Sequence, residues 1–158
     1  MTTTIDTVTP LSSLSVLTHL RALAAEPSGS ATDDWITTAD KQAAYLNQLL
    51  ADSSEAISAA LSRLIPNLAV TQVDNLPVPG TSFWARCQWH IHIRANDPTD
   101  IQAVTVFHHL KHIIDHPLRR EENASIGGDH WEAIADYFAS CVTELHDVAR
   151  RYEEAAHD

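Results

Sequence analysis

Two histidines, His108 and His112, stand four residues apart in the segment Phe107-His-His-Leu-Lys-His112. On a helix such side chains lie one above the other, so two imidazoles can aim at a single tetrahedral ion, and zinc is the metal that suits them. With ten histidines in 158 residues, chance produces this spacing about as often as not, so it needs support from elsewhere in the chain. A zinc site of this type takes a third protein ligand, commonly from the next helix, and Glu132 opens the run Glu132-Ala-Ile-Ala-Asp-Tyr-Phe-Ala139 there. Glu132 has a second reading, as a first-turn acid favoured by the helix dipole. Asp115 and Asp136 can each orient a ligand imidazole through its free N–H, or remain solvated acids. His116 continues the His108/His112 face by one turn, either beside the site or as a histidine favoured at a helix C-terminus. His90 and His92 share the polar face of a strand, either lining a cleft or facing solvent.

The elements that must position these residues are legible from periodicity. Leu11, Leu14, Leu17 and Leu20 suggest a short amphipathic helix, and Glu26 through Asp34 has the composition of a linker. Two further helical patterns follow from Thr38, with Asp52-Ser-Ser54 between them and Pro66 closing the second. Leu68–Val73, Thr81–Trp84 and Gln88–Arg94 read as strands; in the last, Trp89, Ile91 and Ile93 alternate with His90, His92 and Arg94. A tight connection is expected near Arg86-Cys87, with Trp84 and Trp89 packing across it. An apolar helix is expected from about Ile101 to His116, ended by Pro117. A polar loop then runs to Asp129, and a final helix spans roughly Trp131 to Ala149, with Ile134, Phe138, Cys141, Val142 and Leu145 inward. The pattern predicts an α+β domain, mainly helical, with a small antiparallel sheet packed beside the metal-site helix. Residues 1–34 read as a variable arm, 35–150 as the domain and 151–158 as a charged tail.

Composition narrows the function classes. The formal net charge of −11 opposes direct binding to nucleic acid, whose grip depends on Lys and Arg displacing counterions, and suits a divalent cation or a cationic partner. Cys87 and Cys141 form no metal-binding or redox spacing and are expected as reduced thiols. No apolar run reaches membrane-spanning length and no signal peptide is evident, so the expected location is cytoplasmic.

Four stretches together resemble the ImmA/IrrE family of zinc metallopeptidases, in its actinobacterial and phage-borne form. They are Leu76-Pro-Val-Pro-Gly-Thr-Ser-Phe-Trp84, Trp89-His-Ile-His-Ile-Arg-Ala-Asn-Asp-Pro98, Val106-Phe-His-His-Leu-Lys-His-Ile-Ile-Asp-His-Pro117 and Glu132-Ala-Ile-Ala-Asp-Tyr-Phe-Ala139. The resemblance covers roughly residues 37–145. It implies a zincin-like fold, Zn2+ as cofactor and His108, His112 and Glu132 as its ligands. It also implies a protein partner, since well-known members cleave helix-turn-helix repressors that control mobile elements or stress responses. No helix-turn-helix is recognisable in this chain, so such a repressor would be a separate protein.

The chain departs from the family pattern where catalysis is decided. The family helix reads His-Glu-x-x-His, and its glutamate takes a proton from metal-bound water; here that position holds His109. Losing a general base typically costs about two to four orders of magnitude in rate. The entry to the metal helix, Asp100-Ile-Gln-Ala-Val-Thr-Val106, and the ending Val142-Thr-Glu-Leu145 also differ from the usual pattern. The expectation is a degenerate metallopeptidase that binds zinc and acts by association. The alternative is an active zinc metallopeptidase that cleaves a helix-turn-helix repressor with a non-standard base, either His109 or an unforeseen carboxylate.

Overall fold

The computed structural model describes residues 16–23, 30–51, 53–122 and 128–156, with side chains described up to Glu144 except at Ala31 and residues 120–122. Expectations for residues 1–15, the linker residues 24–29, Gly127 and the Leu145 side chain fall outside that set. The chain folds as α+β: helical residues 16–22 (α1), α2 (Ala31–Leu50), α3 (Ile57–Leu64), β1 (Leu68–Val73), β2 (Gly80–Ala85), β3 (Gln88–Arg94), α4 (Thr99–Glu122) and α5 (Gly128–Ala156). Among the described residues, no helix is long and apolar enough to cross a membrane.

Local chemistry starts and stops these elements. Ser30 caps α2 by accepting from the Asp33 N–H at 3.3 Å, and Asp33 and Asp34 sit in the first turn, where the helix dipole favours acids. Ala39, Ala43, Leu46 and Leu50 then recur on one buried face. α3 ends where Ile65, held extended before Pro66, turns the chain into β1. β2 and β3 are joined by Arg86 and Cys87, whose φ values of 53° and 62° provide the left-handed pair that a tight hairpin turn of matching twist needs. Trp84 and Trp89 pack edge-to-face across that hairpin at 5.4 Å.

The sheet is mixed rather than wholly antiparallel. Its order is β1-β3-β2, with β1 parallel and β2 antiparallel to β3. Period-two alternation is the same for either direction of pairing, so sequence pattern leaves strand direction open. The six residues between Val73 and Gly80 straddle the end of β3 instead of forming a hairpin. There Arg94 N–H donates to Pro79 O at 2.9 Å and Ala95 N–H to Val73 O at 3.0 Å. Ile91 and Ile93, the most buried strand residues, therefore occupy the central strand. One face of the sheet lies on α4, which also packs on α5, and α5 in turn packs on α2.

Pro117 does not end α4, which continues to Glu122. A helix-interior proline deprives the carbonyl four residues earlier of its N–H, here Ile113 O. Arg21 of α1 fills the gap: its Nη2 donates to Ile113 O at 2.8 Å and its Nε to Ile114 O at 3.2 Å. α1 is thus an integral part of the core rather than an arm, with Leu20 fully buried and Leu20 O accepting from Gln42 Nε2 at 2.9 Å. The expected boundary at residue 35 falls inside α2, and the expected tail from residue 151 continues α5 to Ala156.

Candidate metal centre

α4 presents His108 and His112 on one face, one turn apart, with ring centroids 4.7 Å apart and Nε2 atoms 3.1 Å apart. Phe107, Leu110, Ile113 and Ile114 anchor the opposite side of that helix in the core. α5 crosses close by because Ala135, Phe138 and Ala139 bury against the same core, and this aims Glu132 at the two imidazoles. Glu132 Oε2 lies 3.0 Å from His108 Nε2, and Oε1 lies 2.9 Å from His112 Nε2. A tetrahedral zinc with bonds of about 2.0–2.1 Å separates its ligand atoms by about 3.3–3.4 Å, so the three residues need open by only a few tenths of an ångström. His108, His112 and Glu132 form a cluster that can hold a metal ion.

The hydrogen bonds around the cluster specify which nitrogen faces inward. Asp136, one turn beyond Glu132, accepts from His108 Nδ1 at 2.7 Å, which in the neutral ring leaves Nε2 with a lone pair. That lone pair and Glu132 Oε2 face each other at 3.0 Å, a contact that becomes favourable when a proton or a metal cation lies between them. His112 is buried, and burial lowers its pKa despite the opposing charge of Glu132, so it is held toward the neutral form a metal requires. Its Nδ1 accepts from Arg119 Nη1 at 3.1 Å. Glu132 is the exposed member, its side chain 59% accessible, so the centre is open on one side to an exogenous ligand. That side is a cleft of about 440 Å³ lined by Pro79, Gly80, Val104, Thr105, His109 and Asp136 beside the cluster.

No family model, no curated protein and no solved structure matches this chain.

His109 lies about 100° round α4 from His108 and points toward β2. Its Nδ1 is 3.3 Å from Ser82 Oγ, and its ring packs over Gly80. A Cβ at Gly80 would collide with the Thr105 methyl and press on both His92 O and the His109 ring, so glycine is what lets β2 approach α4 here. Burial pushes the His109 pKa down to about 4, assisted by the neighbouring His108 and His112. The ring is neutral at neutral pH.

The remaining candidates separate cleanly. Asp136 orients His108, whereas Asp115 is committed elsewhere: it accepts from the buried Lys111 ammonium at 2.8 Å. His116 packs edge-to-face on Trp89 at 5.0 Å, away from the cluster. His90 and His92 do not line the cleft. Strand register puts them on the sheet face carrying Phe83, with ring centroids 5.0 Å and 4.8 Å from it, while Ser82, paired with Ile91, is on the face toward α4. Sequence reasoning missed Ser82, Gly80, Lys111 and Arg119. Arg119 sits seven residues after His112, two turns along the same helix face, a signal visible only once α4 is known to run through Pro117.

Proposed function

We propose that this chain is a zinc-binding protein on the ImmA/IrrE plan, a degenerate metallopeptidase that acts by associating with a repressor-like protein in the control of a mobile element or stress response. The observation that carries the reading is the convergence of His108 Nε2, His112 Nε2 and the Glu132 carboxylate to within about 3 Å, with Asp136 behind His108. Two imidazoles and one carboxylate on rigid helices favour zinc over magnesium or calcium, which prefer oxygen ligands in larger number. Bound there, zinc would supply Lewis-acid polarisation of a water or carbonyl in the open cleft.

Loss of peptidase chemistry rests on position 109. A general base must reach the proton it removes, and His109 instead has Nδ1 against Ser82 and its ring against Gly80. An association role fits the net charge of −11, which is complementary to a cationic surface such as a DNA-binding domain displays. One observation favours the alternative, an active peptidase: His109 is neutral at pH 7 and lines the same cleft as Glu132, so it has the protonation state of a base.

Metal analysis of the purified protein should give one zinc per chain, lost in His108→Ala and His112→Ala. The zinc-loaded protein is then mixed with candidate helix-turn-helix repressors from its own genome. Stable binding without proteolysis is the expected result, and His109→Glu should introduce cleavage by restoring a flexible carboxylate. Chelator-sensitive cleavage by the unaltered chain, abolished in His109→Ala, would establish the alternative instead.

A further inference from the structure

The guanidinium of Arg119 has only donors to offer, so its 3.1 Å contact with His112 Nδ1 requires a lone pair on that nitrogen. In neutral His112 the proton must then sit on Nε2, the atom turned into the cluster, where it is shared between Glu132 Oε1 at 2.9 Å and His108 Nε2 at 3.1 Å. A metal ion needs the opposite tautomer, with Nε2 free and the proton on Nδ1, where histidine ligands ordinarily donate to a carboxylate or carbonyl. His108, with Asp136 accepting from Nδ1, has that arrangement; His112 does not. Arg119 is well placed to hold its position, since its guanidinium also stands 5.9 Å from the Trp131 ring, next to Glu132 in sequence.

We propose that Arg119 is a latch on the metal centre: by donating to His112 Nδ1 it favours the Nε2–H tautomer, and it must leave His112 Nδ1 before an ion is fully ligated. The latch rests on the metal-centre reading above and adds to it a residue that sets affinity. Its release involves no change in net protonation, because the His112 proton moves from Nε2 to Nδ1 while the guanidinium stays charged. A solvent molecule or an oxygen-bearing group of a bound partner would then accept from Nδ1.

The test is a zinc competition titration against a chromogenic chelator, comparing the wild-type chain with Arg119→Gln and Arg119→Met. Arg63→Gln, at an exposed pair with Glu55, controls for the loss of one positive charge. The expected result is zinc binding about 10-fold or more tighter in both Arg119 variants than in Arg63→Gln. Imidazole nitrogen NMR of the metal-free wild type provides a second measurement independent of any variant's folding, and should show His112 protonated on Nε2. Unchanged or weaker zinc binding in the Arg119 variants, or a metal-free His112 protonated on Nδ1, overturns the latch alone. No zinc binding in either wild type or Arg119 variants overturns the metal centre together with the latch.

Discussion

At the scale of single residues, the site is governed by what surrounds each histidine rather than by histidine itself. His108 is oriented by Asp136, His112 by Arg119, and His109 by Ser82 and Gly80, and only the first arrangement is the usual one for a metal ligand. His109 also has a consequence for the metal-free protein. Its pKa is lowered by burial to about 4 in the fold, against an ordinary value of 6.5. The unfolded chain therefore binds more protons between those values, and stability rises with pH across that window and is lost as pH falls through it. Denaturant titrations of metal-free protein at pH 7 and pH 4.5 should show this loss, and His109→Gln, which does not titrate, should show a smaller one. An equal pH dependence in both proteins would assign the effect to other groups.

At the scale of elements, α4 depends on a contact that its own sequence does not contain. Pro117 should weaken or kink the helix, yet the Arg21 guanidinium from α1 satisfies the carbonyl that the proline leaves without a donor. Arg21→Met is expected to destabilise the protein by about 1–3 kcal/mol, the cost of a buried acceptor without its partner. In a Pro117→Ala background, where residue 117 can donate to Ile113 O, that cost should fall. A double-mutant cycle measured by urea unfolding checks the coupling, and additive effects would remove this account of the helix. The same contact explains why Arg119 reaches the metal cluster at all, since it needs the turns beyond Pro117.

At the scale of the whole molecule, a buried polar group joins the helices at the centre. Lys111 is fully buried and donates to Gln42 Oε1 of α2 at 2.7 Å and to Asp115 Oδ1 at 2.8 Å. Gln42 in turn donates to Leu20 O of α1, so three helices share one hydrogen-bonded chain. Burial pushes the Lys111 pKa down and that of Asp115 up, and each holds the other toward its charged form. Lys111→Met should therefore cost about 3–5 kcal/mol by leaving Asp115 buried without its cation. The double variant Lys111→Met/Asp115→Leu should recover much of that loss. Thermal and chemical unfolding of the single and double variants decides it; equal destabilisation would mean that packing, not charge, dominates.

The amino-acid order by itself located the helices, though not the full length of α4, together with the three strands and the tight Arg86-Cys87 connection, because each is written in a local period, a capping residue or a short motif; its motifs also brought forward the trio His108, His112 and Glu132. It pointed to Asp136 but could not choose it over Asp115, since both are single acids whose partners lie across the fold. Tertiary structure decided the rest. Parallel pairing of β1, the face taken by His90 and His92, the passage of α4 through Pro117 and the approach of Arg119 to His112 all depend on contacts between distant segments. Local periodicity records which side of an element is apolar; which neighbour covers that side, and which donor meets a given carbonyl or imidazole, is set only when the elements pack.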